Sequence, residues 1–103
     1  MKNQPNEIDL AELKRTVDAI FEHLLNDVGV KKVTIPNDTD FYWEVPSDEL
    51  YSVSQAQPKL DTGRLTDDWE FLSPILKDNR QAVGLMFTHI APLLRYIGQK
   101  ESR

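Results

Sequence analysis

The side chains able to carry acid–base, nucleophilic or metal chemistry in this chain are few and scattered. His23 and His89 are the only imidazoles, and cysteine is absent, which removes thiolate nucleophiles, disulfides and Cys-based zinc or iron–sulfur sites. Carboxylates gather twice, as Asp38, Asp40 and Glu44 and as Asp61, Asp67, Asp68 and Glu70. Oxygen-rich clusters are what a hard divalent cation requires, but the first lacks the glycine and closing glutamate of an EF-hand loop. Turn formation accounts for Asp38 and Asp40, and Asp67, Asp68 and Glu70 suit the positive end of a helix. Neither histidine stands four residues from a second one, so a helical zinc pair is not encoded. A general base would also need a nucleophile and an orienting carboxylate within reach. His23 falls off the apolar arc of its helix and reads as solvated, whereas His89 reads as a half-buried packing or interface residue. Gly29, Gly63, Gly84 and Gly98 are too dispersed to cradle a phosphate. No catalytic residue, metal ligand or cofactor is assigned on these grounds.

Asp61-Thr62-Gly63 resembles the active-site triplet of the aspartic proteases, over those three residues only. In that family the triplet follows a strongly hydrophobic strand and is usually trailed by Ala or Ser; here Lys59-Leu60 precede it and Arg64 follows. The family's later hydrophobic-hydrophobic-Gly strand would fall on Ala82-Val83-Gly84 or Tyr96-Ile97-Gly98, both in helical patterns. The resemblance implies an almost all-β dimer, whereas this chain opens and closes with helices. The triplet is therefore read as a turn, since Asp bonds onward backbone and Gly accepts positive φ.

At 103 residues, with 40% hydrophobic and 28% charged side chains, the composition is that of one globular domain rather than a disordered chain. The 17 acidic and 12 basic residues leave a net charge of -5, with no basic run longer than a pair. Nucleic-acid binding relies on a basic patch, so it starts at a disadvantage; a basic-surfaced protein is the natural complement. An acidic nucleic-acid mimic would need the carboxylates to line one face. No window approaches the roughly 18 apolar residues that span a bilayer. The amino terminus does not resemble a secretory signal, and the expectation is a cytoplasmic, bacterial protein.

Leu10, Leu13, Val17, Ile20, Phe21, Leu24, Leu25 and Val28 recur at three- and four-residue steps, predicting an amphipathic helix over about 8–28. Asn6 or Asp9 caps its start and Gly29 ends it. The period then falls to two. Residues 30–35, 41–45 and 50–53 read as strands separated by turns at 36–40 and 46–49, an antiparallel meander with Phe41, Trp43 and Val45 on its buried face. Residues 55–63 read as a loop. Thr66 caps a second helix carrying Trp69, Leu72, Ile75 and Leu76 inward, which kinks or restarts at Pro74. A last helix spans about 80–97, bent at Pro92.

The expected fold is α+β: an N-terminal amphipathic helix, a three-stranded antiparallel meander and two C-terminal helices packed on one face of the sheet. Residues 1–7 and 99–103 are expected to be flexible ends around a single domain at 8–98. Trp43 and Trp69 are placed in the core. The last helix has one apolar stripe of Val83, Met86, Phe87, Ile90, Leu93, Leu94 and Ile97 and a second of Leu85, His89, Pro92 and Tyr96. A helix apolar on two sides packs against more than its own domain. Tyr42, Leu85, His89, Pro92 and Tyr96 are thus the interface candidates, for another protein or for a second copy in a homodimer. The expected function is a small acidic binding module, an adaptor, inhibitor or immunity-type protein. The alternative is a small hydrolase or metal-dependent enzyme using His89 or the acidic residues near Asp61.

Overall fold

The computed structural model describes residues 6–46, 48–51 and 59–101, and these form an α+β arrangement of three helices and a two-stranded antiparallel sheet. The chain divides into two compact units, Met1–Val33 and Thr34–Arg103. In the first, α1 (Leu10–Glu22) starts two residues later than the periodicity predicts because Asp9 is its cap. The Asp9 Oδ1 accepts the amides of Ala11 and Glu12 at 2.9 and 3.2 Å, satisfying donors that the first turn leaves free. Over His23–Val28 the helix widens to a π-helical turn. Gly29 then closes it at φ 87, and the Gly29 and Val30 amides both donate to the Leu24 carbonyl at 3.0 Å. His23 pairs with Asp27 at 2.8 Å in an exposed contact.

The second unit contains β1 (Phe41–Glu44), β2 (Asp61–Arg64), α2 (Leu65–Leu72) and α3 (Val83–Lys100). The strands pair in the register Phe41–Arg64, Tyr42–Gly63, Trp43–Thr62 and Glu44–Asp61. Among its described residues three are buried, Leu65, Asp40 and Asp68, two of them carboxylates. Every buried side-chain polar atom among the described residues is hydrogen-bonded, as the cost of a lone buried charge demands.

Asp40 holds the junction between β2 and α2. Its carbonyl accepts the Leu65 amide at 2.8 Å, its Oδ1 the Thr66 amide at 2.9 Å, and its Oδ2 the Thr66 hydroxyl at 2.7 Å and Arg64 Nε at 2.8 Å. Thr66 therefore does not cap α2, as the sequence led us to expect. The helix starts at Leu65, the cap residue Arg64 contributes no side-chain bond, and the capping oxygens come from a residue 26 positions earlier. Burial alone would raise the Asp40 carboxyl, but the Thr66 hydroxyl and amide and then Arg64 outweigh it and hold it below the usual carboxylate range.

The meander is replaced by a non-local pair. Residues 30–35 are not a strand; the Thr34 carbonyl is taken by side chains of α3, Lys100 Nζ at 2.8 Å and the Tyr96 hydroxyl at 3.5 Å. Leu50 and Tyr51 lie in a turn, and residues 52–53 of the expected third strand fall outside the described residues, as do 55–58 of the expected loop. The strand that pairs with β1 is Asp61–Arg64, the segment read as a turn. Trp43 and Trp69 are not core residues: they are 72% and 59% exposed. Tyr42 turns inward to a carboxylate of α2, and strand alternation then sends Phe41 and Trp43 outward. On α2 the buried positions are Leu65 and Asp68, which leaves Trp69 beside that face. The helix does change form at Pro74, becoming a 3₁₀ turn over Ser73–Leu76. Residues 99–100, expected as part of a loose end, close α3, while 1–5 and 102–103 lie outside the described residues.

Replacing Asp40 with Ala should destabilise the second unit by about 1–3 kcal/mol, because the Thr66 amide and Arg64 lose their acceptor. Urea titration read by the fluorescence of Trp43 and Trp69, both in this unit, checks it. With its folded pKa depressed, Asp40 contributes stability that is present above the unfolded value of about 4 and lost as pH falls through the folded one. The stability gap between wild type and Asp40→Asn should narrow on acidification in that window, and a constant gap would contradict the assignment.

Candidate functional site

Two features occupy the region where β1, α2 and α3 meet. One is a hydrogen-bonded chain. The Tyr42 hydroxyl donates to Asp68 Oδ2 at 2.7 Å, and Asp68 Oδ1 lies 2.6 Å from His89 Nδ1. A carboxylate only accepts, so with Asp68 ionised Nδ1 carries the hydrogen. The imidazole also stacks on Phe71, ring centroids 4.2 Å apart. One buried carboxylate thus joins the strand to both helices. Burial and the neighbouring Asp68 carboxylate together hold the Tyr42 phenol well above its ordinary pKa. That disfavours the phenolate a tyrosine nucleophile would need.

Tyr42 can reach Asp68 because of the residue opposite it. A Cβ at Gly63 would overlap the Tyr42 ring, so the close approach requires glycine there. The glycine of Asp61-Thr62-Gly63 serves a strand contact rather than a catalytic turn. Asp61 itself is exposed and accepts its neighbour Thr62's amide at 2.8 Å.

The other feature is an open groove of about 680 Å³, lined by residues of the 36–43 stretch, by Leu65, and by Pro92, Arg95, Tyr96, Gln99 and Lys100 of α3. The α3 residues fall at i, i+3, i+4, i+7 and i+8, one side of a helix. The 36–39 wall is fastened to α3 through Thr39 Oγ1, 3.3 Å from the Tyr96 hydroxyl. Phe41, Tyr42 and Trp43 are consecutive strand residues whose side chains alternate between faces, yet all three line the groove. It therefore runs along the margin of β1 rather than over one face of the sheet.

Of the residues singled out in the sequence, Tyr42, Pro92 and Tyr96 meet in this groove, while His89 lies in the Asp68 chain and Leu85 in neither. His89, Pro92 and Tyr96 are half-buried and Leu85 is exposed. The more exposed apolar stripe of α3 is formed by Val83, Phe87, Ile90 and Leu94. Sequence reasoning missed Asp40, Asp68, Gly63 and Arg95 as members of a joint arrangement. Their partners lie 21 or more positions away for the two aspartates, with no local pattern to mark them.

The first acidic cluster is dispersed, with Asp40 buried and Asp38 exposed at the groove. In the second, Asp67 lies 3.8 Å from Arg64 and Asp68 is committed to Tyr42 and His89. Among the described residues no group of three His, Asp or Glu side chains is placed to hold a metal ion, and no helix is long and apolar enough to cross a membrane. No protein-family model, curated protein or solved structure matches the chain.

Gly63→Ala should destabilise the second unit by about 1–3 kcal/mol through overpacking against Tyr42, and should cost much less in a Tyr42→Ala background. A double-mutant cycle of urea unfolding free energies checks the coupling. Tyr42 also sets an alkaline limb. A phenol with a raised folded pKa contributes stability that is present below its unfolded value of about 10 and lost as pH climbs past it. The advantage of wild type over Tyr42→Phe should be constant at neutral pH and shrink above about 10, measured by denaturation at a series of pH values.

Proposed function

We propose that this protein is a binding module, working without catalysis, whose groove between residues 36–43 and the C-terminal half of α3 receives a segment of another protein. The observation that carries the reading is the composition and exposure of the groove. Trp43, Phe41, Tyr42, Tyr96 and Arg95 line it, the residue types that dominate binding energy at protein interfaces. Trp43 and Phe41 keep most of their surface in solvent, 72% and 64%. A pocket that encloses a small molecule buries most of its ligand and its walls, which this groove does not. Its course along β1 suits an extended segment, since among the described residues that strand pairs with β2 alone. In the cell this describes an adaptor, inhibitor or immunity-type protein.

The contact between His89 and Asp68 is the one observation that favours a catalytic reading, because an aspartate orienting an imidazole is half of an acid–base pair. Three facts argue for a structural role instead. The same carboxylate is shared with a phenol of raised pKa, the imidazole is stacked on Phe71, and none of the described hydrogen bonds brings a hydroxyl to His89.

Selecting a displayed library of random extended peptides against the full chain tests the reading. Binders should emerge whose amide chemical-shift changes centre on Thr39, Trp43, Tyr96 and Gln99, and Trp43→Ala should weaken them by about tenfold or more. Binders that map to other surfaces, or that ignore Trp43→Ala, would refute the groove as the docking site.

A further inference from the structure

We infer that the segment this groove takes is acidic: a carboxylate-bearing stretch clasped between Arg95 and Lys100, with an apolar side chain set against Trp43. The inference rests on the docking reading above and adds the chemistry of the partner. The chain as a whole carries a charge of -5, yet the charged residues lining the groove are Arg95, Lys100 and a single anion, Asp38. Local charge there is opposite in sign to the rest of the molecule.

Among the described residues neither of those two cations meets a carboxylate. Elsewhere in the described residues Lys14, Arg64 and Arg80 are in ion pairs while Arg15, Lys31, Lys32, Lys59 and Lys77 are not, so what sets Arg95 and Lys100 apart is their shared place in the groove. Arg95 has no ion pair or hydrogen bond among the described residues, although its charge is felt at the Tyr42 phenol. Lys100 donates to the Thr34 carbonyl and lies 5.9 Å from the centre of the Tyr96 ring, so among the described residues its charge meets a dipole and a π-face. On a helical wheel Arg95 and Lys100 fall on opposite flanks of Pro92, Gln99 and Tyr96. A segment lying along that strip has a cation on each side.

Guanidinium recognises carboxylate in a two-pronged geometry that a neutral or basic side chain cannot supply. An acidic segment is repelled by the bulk of this surface and attracted at this one place, which fixes where it docks more than how tightly. A basic segment would have the reverse experience, drawn to the acidic surface at large and disfavoured in the groove.

The test uses the full chain and three matched short peptides, each with a central Phe flanked by Glu, by Gln or by Lys, titrated at low salt and followed by Trp43 fluorescence and amide shifts. The Glu peptide should bind about tenfold more tightly than the Gln peptide, and the Lys peptide more weakly still in the groove. Raising the salt should shrink the differences. Arg95→Gln should bring the Glu peptide down to the level of the Gln peptide while leaving the urea midpoint unchanged. Lys100→Gln should do so in part. Equal binding of all three peptides in the groove, lost in Trp43→Ala, would overturn the acidic preference and leave the docking site standing. Failure of every peptide to perturb groove residues at millimolar concentration would remove both. Free glutamate competing as well as the Glu peptide would also overturn the inference, reducing the site to one for small anions.

Discussion

A charged carboxylate buried in a small body has to be surrounded by donors, and the second unit is organised around meeting that demand at Asp40. Removing this side chain from water is tolerable only because a helix amide, a hydroxyl and a guanidinium converge on it. The same residue's carbonyl takes the first amide of α2. With Asp40 tied to residues 64–66, the chain leaving it can pair with the chain entering α2 in one register only, Phe41 opposite Arg64. That register sets Tyr42 over Gly63, points its hydroxyl at Asp68 and, through Asp68, reaches His89 on α3. The groove is the space left between the strand so placed and the helix so reached.

The helices were legible because their causes are local. An apolar side every three or four residues, Asp9 ahead of the first turn and Gly29 after the last are enough for the first helix. Pro74 marks the break after α2 for the same reason. The sheet was illegible because its causes are not local. Residues 30–35 alternate like a strand but have no strand partner among the described residues, and Thr34 is bonded by α3 side chains. Asp61-Thr62-Gly63 has turn composition, yet it is a strand because a tyrosine ring elsewhere needs an absent side chain. A glycine chosen for what it makes room for looks, in sequence, the same as a glycine chosen for its φ.

The site was half legible for a related reason. Reading the last helix as apolar on two sides picked out Pro92 and Tyr96, and alternation along 41–45 isolated Tyr42 from Trp43. The inference about which strand face is buried followed apolar content, and it failed because the inward face is fixed by polar pairing. Tyr42 goes in to satisfy Asp68, so Trp43 comes out. An exposed tryptophan at the mouth of a groove is thus a by-product of a buried hydrogen bond one residue away. Arg95 was visible only as a polar interruption of the helix, since the groove it lines is formed with residues 36–43, which spacing cannot express.

Tyr42 belongs to both features, its hydroxyl to the buried chain and its ring to the groove wall. A unit with one buried leucine and two buried aspartates among its described residues has little apolar packing to hold its elements, so directional bonds carry much of the geometry. Such bonds specify an arrangement more sharply than they stabilise it. Anything that presses on the Tyr42 ring from the groove therefore acts on the bond to Asp68, and through it on the placement of α3, whose C-terminal half supplies Arg95 and Lys100. Groove wall and scaffold share a residue, so a change at Asp68 that frees the Tyr42 hydroxyl bears on the groove as well as on the scaffold.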